Sequence, residues 1–283
     1  MTLLKVASVV AAFFTFIGLA LAGNTYTTID FPGATDTWAT GVNKKGDLVG
    51  YYYVAPDTTL HGFLLSGGTF MTIDVPGAAT QIFGINDDGL IIGRYNFPGD
   101  HFHGFVFDGF TFTTIDFPGA SDTGAYAINN KGQIVGFYGD ANHSHGFVLM
   151  HGDYKTIDPP GRWKGVAATG INDNGSIVGW NLSEHNLYWG FRYSNGVFQA
   201  IHVPGQLSSF GGSVNDDGVV VGTFFSFVSE YCYTLVDGRF HHLAYPGAFT
   251  TTCSMINDSA QIVGFWQDFQ SKGHGFLIST RNR

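Results

Sequence analysis

The sequence lacks most of the patterns that announce chemistry. Only 12% of its 283 residues are charged, and 13 Lys and Arg, never in a run, stand against 22 Asp and Glu for a net charge of −9. That balance gives no footprint for nucleic acid or an anionic membrane surface, so the partners left open are cationic or neutral. Glutamate occurs only at Glu184 and Glu230. There is no phosphate loop, no dinucleotide fingerprint and no Ser-hydrolase elbow. Beyond the N-terminal run no segment is apolar enough to cross a membrane, and no apolar spacing has a helical period. Cysteine occurs twice, at Cys232 and Cys253, with no adjacent His/Asn pattern of a cysteine nucleophile; a disulfide and two buried thiols are both open.

The N-terminus, MTLLKVASVVAAFFTFIGLALAGNTYTTI, has Lys5, an apolar run from Val6 to about Leu21, and small Ala20 and Ala22 ahead of Gly23. That is the layout of a secretory signal over residues 1–22, cleaved after Ala22, with an uncleaved anchor as the competing reading. It places the protein outside the cell or in a periplasm, where disulfides persist.

What the chain has in plenty is Gly, 40 residues of it, with 16% aromatic residues and a sixfold repeat. The tetrads NKKG from Asn43, NDDG from Asn86, NNKG from Asn129, NDNG from Asn172, NDDG from Asn215 and NDSA from Asn257 recur at 43 residues, and once at 42. A period of that size points to propellers or solenoids. Each repeat reads as four short strands, rich in Val, Ile, Tyr, Phe and Thr: one ending at the tetrad, one following it, one beginning at His-Gly-Phe, and one of the TFMTIDV type. The tetrad suits a type I turn with Gly at the left-handed position; a calcium loop would need oxygen ligands where Leu90, Ile91, Ile177 and Val178 stand. Gly67-Gly68, Asn195-Gly196 and Asp237-Gly238 are two-residue hairpin signals, and Pro-Gly after the fourth strand ends pairing.

A histidine and an aspartate lie thirteen residues apart in His61/Asp74, His103/Asp116 and His145/Asp158, opposite one another across the third and fourth strands. The fourth and fifth repeats lose both partners, with Trp189 facing His202 and Tyr231 facing Ala244. His274 has no downstream Asp, and Asp30 has no His before it. Pairing His274 with Asp30 makes the N-terminal strand the fourth strand of the last repeat. The expected fold is therefore an all-β, six-bladed propeller of four-stranded blades, closed by that strand, over residues 23–283 as a single domain. An open β-solenoid is the alternative.

TIDFPGA, GIN-x-x-G, IVG and HGF together resemble the HAF family of extracellular repeats, across about residues 25 to 279; Trp189-Gly190-Phe191 and Tyr231-Cys232-Tyr233 depart from its motif. The resemblance implies an exported repeat protein and brings no catalytic residues. The four His-Asp pairs read as structural, because same-position histidines in neighbouring blades stand too far apart to share a metal. No cofactor, metal or catalytic residue is expected, and the chain is expected to be a monomer.

Recognition is expected on the variable loops between second and third strands, opposite the tetrads. Tyr52, Tyr53, Asp57, Asp100, His101, Asp140, His143, Glu184, His185, Glu230, Trp266 and Asp268 mix aromatic faces with acceptors there, which suits a carbohydrate or another polar organic ligand. Glu184 and Glu230 as an acid and base pair for glycan cleavage, and Asp100, His101 and His143 as a metal site, are sharper alternatives. Inner-strand positions such as Trp38, Thr40, Phe83, Tyr126, Thr169 and Ser254 are mostly neutral. The reading is a non-catalytic binding or interaction module for a small-molecule, glycan or protein ligand, against a propeller enzyme (glycan hydrolase or lyase) with acids at the channel mouth, or a purely structural surface or matrix protein.

Overall fold

The computed structural model describes residues 23–226 and 229–280; the secretory signal read at residues 1–22 lies outside them. Every regular element described is a β-strand. The first repeat, unit 1, supplies Asp36–Val42, Leu48–Tyr53, His61–Ser66 and Thr69–Thr72, paired antiparallel in sequence order, and units 2 to 5 follow the same plan. Unit 6 supplies Thr250–Ile256, Gln261–Gln267 and Gly273–Thr280, and its fourth strand is Asn24–Ile29 from the N-terminus. Thr28 pairs with Phe276 and Ile29 with Gly275, so the two ends of the described chain share one sheet.

The expectation of six separate four-stranded blades needs correction. Only four blades stand as separate four-stranded sheets; the strands of units 3 and 4 run together as one eight-stranded sheet. The join is a single parallel pairing of Ser144 with Gly165. Gly165 makes it possible, because a Cβ there would lie 2.6 Å from Ser144 Oγ.

The motifs are packing devices. The aromatic residue of the third strand, Phe63, Phe105, Phe147, Phe191, Tyr233 or Phe276, is at most 2% exposed in every unit. It lies across the glycine of the Val/Ile-Gly motif on the second strand: a Cβ on Gly50 would run into the Trp38 carbonyl and sit 2.8 Å from the Phe63 ring. Full burial of such a ring contributes roughly 2 to 3 kcal/mol, which accounts for a repeat built around it.

The tetrads tie unit to unit as well as making the turn. Gly46, Gly89, Gly132, Gly175 and Gly218 take φ of 73 to 90°, and Ala260 takes 55° in the degraded NDSA. The Asn oxygen accepts backbone N–H groups of its own turn, as Asn43 Oδ1 does from Lys45 and Asp47. Its Nδ2 donates to the carbonyl of the next tetrad Asn, from Asn43 to Asn86, Asn129, Asn172, Asn215 and Asn257, and from Asn257 back to Asn43 at 3.3 Å. Six amides thus form a closed ring. A second ladder runs outside it, from Lys44 N to Asp87 Oδ1 and onward through Asn130, Asp173, Asp216 and Asp258. It ends at Lys44, whose side chain carries no acceptor.

Candidate functional site

Two kinds of environment hold the residues that sequence reasoning singled out. The first is the outer part of the loop face, in units 1, 2, 3 and 6. His61 Nδ1 lies 2.7 Å from Asp74, His103 Nδ1 2.9 Å from Asp116, His145 Nδ1 2.7 Å from Asp158 and His274 Nδ1 2.9 Å from Asp30. In units 1 and 3 the same carboxylate also accepts the N–H of the glycine after the histidine, Gly62 and Gly146. Each imidazole packs on the aromatic ring at the end of the second strand, from Tyr52 at 5.4 Å to Trp266 at 4.4 Å.

The loop aspartates face the other side of these histidines. Asp140 Oδ2 is 3.3 Å from His145 Nε2, Asp100 3.6 Å from His103 Nε2 and Asp268 3.9 Å from His274 Nε2. Their Oδ1 atoms are bonded within their own loops: Asp57 takes Thr59 N, Asp100 takes His101 N, Asp140 takes Asn142 and His143 N, and Asp268 takes Gln270 and Lys272 N. Those backbone bonds, first from Asn142, hold the Asp140 carboxyl down to about 2. The hydrogen bond to Asp116 raises the His103 pKa over the opposing effect of burial; for His145 burial is the largest influence, and bonds to Asp158 and Asp140 overcome it in the upward direction. In units 4 and 5, which have no such histidine, the loop is capped by a neutral hydroxyl: Ser183 Oγ accepts Leu187 N, and Ser226 Oγ accepts Ser229 N.

Several other residues named from the sequence serve the same packing. Tyr52 is 7% exposed, stacked on Phe31 at 3.7 Å, with its hydroxyl on Thr72. Trp266 is stacked on Tyr245 at 4.6 Å. Tyr53 packs near Trp38, and a hydrogen bond to Asp36 raises its pKa. His101 Nδ1 is 3.6 Å from Asp122, and His143 is exposed at the edge of an open groove with Arg94 and Lys164. Glu184 and His185 are exposed. Among the described residues no group of three or more His, Cys, Asp and Glu is placed to hold a metal ion.

The second environment is the axis. At the tetrad end a narrow cavity of about 70 Å³ is ringed by Lys44, Asp87, Asn130, Asp173, Asp216 and Asp258. Burial and then the neighbouring acid charges raise the Asp258 carboxyl, and Lys44 Nζ offsets the cluster with a 3.2 Å contact to Asp87. A girdle of Thr40, Phe83, Tyr126, Thr169 and Ser254 borders this cavity and a second one of about 380 Å³ towards the loop face. The larger cavity is walled by Trp38, Tyr51, Trp180, Phe210 and Phe265, and Glu230 is the one charged side chain lining it. Glu184 is not part of that lining, so the two glutamates do not form one site.

Much of the wall is a belt of rings. Trp38 stacks between Tyr51 at 5.0 Å and Phe265 at 5.2 Å, while Phe83 meets Tyr51 and Tyr126 edge-on. Burial pushes the Tyr51 hydroxyl up to about 12, against the opposing charge of Arg94. Burial also raises the Glu230 carboxyl. Thr223 Oγ1 is buried in this wall without a hydrogen-bond partner. Thr223 was missed by sequence reasoning, although strand alignment marks it: units 1 to 4 and unit 6 place Tyr51, Arg94, Phe137, Trp180 and Phe265 at the equivalent position, paired across from the first strand.

Cys232 and Cys253 form a disulfide, with Cα atoms 5.3 Å apart, between unit 5 and unit 6. Cys232 pairs with Thr223, and Cys253 lines the cavity, so the tie lies beside its unit 5 wall.

No family model matches the chain, and neither does any curated protein. Solved structures do match in fold. AofleA from Arthrobotrys oligospora superposes with a TM-score of 0.61 at 10% identity, covering 90% of this chain and 86% of the other. The Aleuria aurantia lectin, in complex with Fucα1-6GlcNAc, gives 0.55 at 11% identity over 86% and 91%. A gluconolactonase from Xanthomonas campestris gives 0.53 at 13% identity over 88% of each chain. A lectin and an enzyme on the same framework define the fold this chain is similar to, an all-β propeller, and leave activity to its own site.

Proposed function

We propose that this is an exported, non-catalytic binding module of the HAF repeat type, which takes a small polar organic ligand, with carbohydrate the class to test first, at the loop-face mouth of the axial cavity. One observation carries the reading: a cavity of about 380 Å³ with aromatic walls, a half-buried carboxylate at Glu230 and threonines at Thr40, Thr169 and Thr252 in its lining. A concave, mostly apolar site with a few convergent polar groups is the usual form of a small-ligand site. The disulfide supports an oxidising compartment. The fold shared with the Aleuria aurantia lectin makes glycans a sensible first library.

The four His-Asp pairs are assigned a scaffold role in this reading. Each histidine is engaged at Nδ1 and packed on an aromatic ring, and no nucleophile is hydrogen-bonded to any of them among the described residues.

The mature protein should retain one or a few glycans on an array and release no reducing ends from them on prolonged incubation. Turnover that disappears in Glu230→Gln would replace the binding module with an enzyme.

A further inference from the structure

The axial cavity is lopsided. On the side of units 1 and 6 Trp38 stacks between Tyr51 and Phe265; on the side of units 4 and 5, Trp180 meets Tyr188 at 86° and Phe210 meets Tyr188 at 65° and Phe225 at 49°, with no parallel stack on either ring among the described residues. The recess on this side is lined by Trp180, Phe210 and Glu230, while Thr223, small where its counterparts are large, stands fully buried in its wall. Its hydroxyl has no hydrogen-bond partner, which is costly at a buried position.

The charge in the recess has one sign. Glu230 is the single ionisable acid or base lining the cavity besides tyrosine, and no basic side chain is ion-paired with it among the described residues. Arg94, whose charge reaches the Tyr51 and Tyr126 hydroxyls, is outside the lining and is held elsewhere: its Nε donates to Gln81 at 2.9 Å and its guanidinium covers the Phe102 ring at 4.0 Å. Beneath the girdle, Asp87, Asp173, Asp216 and Asp258 stand on the same axis. A half-buried carboxylate without a counter-charge among the described residues, beside unstacked aromatic faces, complements an organic cation, since the ring face and the carboxylate both carry negative potential.

We infer that the recess formed by Trp180, Phe210 and Glu230 binds a small organic ammonium ion, its charge against the Glu230 carboxylate and its alkyl groups on the two rings. The inference deepens the binding-module reading and rests on it; it adds that the ligand is positively charged.

The test uses choline and its uncharged isostere, 3,3-dimethyl-1-butanol, titrated into the full mature protein by calorimetry and tryptophan fluorescence. Glucosamine against N-acetylglucosamine is a second pair, distinguishing an amino sugar from a quaternary ammonium. The cationic member of at least one pair should bind about tenfold or more tightly than its neutral partner, the scale of a desolvated cation–π contact with an added carboxylate. Glu230→Gln, which keeps the shape, should bring that ratio to about one with an unchanged melting temperature. Thr223→Val, which removes a buried unpaired hydroxyl outside the contact surface, should raise the melting temperature and leave the ratio unchanged. Equal binding of charged and neutral partners, or a preference that survives Glu230→Gln, overturns the inference. Glycan retention without any cation preference overturns it and leaves the binding module standing; loss of both removes both.

Discussion

Units 1, 2, 3 and 6 differ from units 4 and 5 in the same residues at every level. In the first group a histidine is held between an aspartate just beyond the fourth strand and a loop aspartate, or faces the former alone, and the loop is capped by a carboxylate. In the second group Trp189 stacks on His202 at 5.2 Å, Tyr231 packs on His242 at 5.0 Å, and the caps are Ser183 and Ser226. The neutral caps follow from the missing histidines: a loop carboxylate opposite an indole or a phenol would have no cation to face. The divergent pair also carries Trp180, Phe210, Thr223, Glu230 and one half of the disulfide. Repetition maintains the scaffold, and the units that depart from it supply the asymmetric wall of the axial cavity.

The largest effect expected from breaking this contrast comes from the covalent tie. The disulfide closes a separation of 21 residues, and a loop of that length constrains the unfolded chain by about 3 kcal/mol. Cys232→Ser with Cys253→Ser should lower the unfolding free energy by about that amount in guanidinium titration, and should loosen the Thr223 side of the cavity first in hydrogen exchange. A loss below about 1 kcal/mol would show that the divergent units do not depend on the bridge.

The His-Asp lock should cost less per unit. Asp158 accepts both His145 Nδ1 and Gly146 N, and removing it in Asp158→Ala leaves an imidazole N–H and a backbone N–H to find water. The partial exposure of both side chains, 27% and 30%, limits the penalty to about 1 to 2 kcal/mol. The comparison sharpens if His202→Ala in unit 4, where stacking alone is lost, costs less than Asp158→Ala by the same assay.

How far the sequence revealed this architecture can be judged residue by residue. The 43-residue period, the strand order and the use of Asn24–Ile29 to complete the last sheet are all readable, because turn chemistry and the unmatched Asp30 and His274 are local signals. The merging of units 3 and 4 is not, since it rests on one backbone pairing at Gly165. The amide ring was half visible: Asn survives even in NDSA, where the glycine does not, so its service exceeds the turn; its bond to the next unit is a tertiary fact. The loop aspartates looked alike as exposed acceptors because their offsets from the histidine vary, from three residues at Asp100 to six at Asp268. Thr223 was hidden in a strand, where a small hydroxyl residue is unremarkable until its neighbours are known to be rings.

The smallest effect concerns protonation, and it separates the two groups most finely. The folded state raises the His145 proton affinity, so its stabilisation is fully present below the unfolded value of about 6.5 and is lost as pH rises through the higher folded midpoint. Asp140 works in the other direction: its contribution is present above 3.8 and is lost as pH falls through about 2. The pair is therefore complete from about pH 4 to beyond 6.5. Asp140→Ser imports the cap used in units 4 and 5, which preserves the loop bonds and removes only the carboxylate facing Nε2. Its expected outcome is a native fold, a lower imidazole midpoint for His145 by NMR titration, and no change at His103, whose loop partner is Asp100. An unmoved His145 midpoint would mean that the loop carboxylate exists to cap the loop alone, and that the pairing of serine caps with missing histidines has no electrostatic cause.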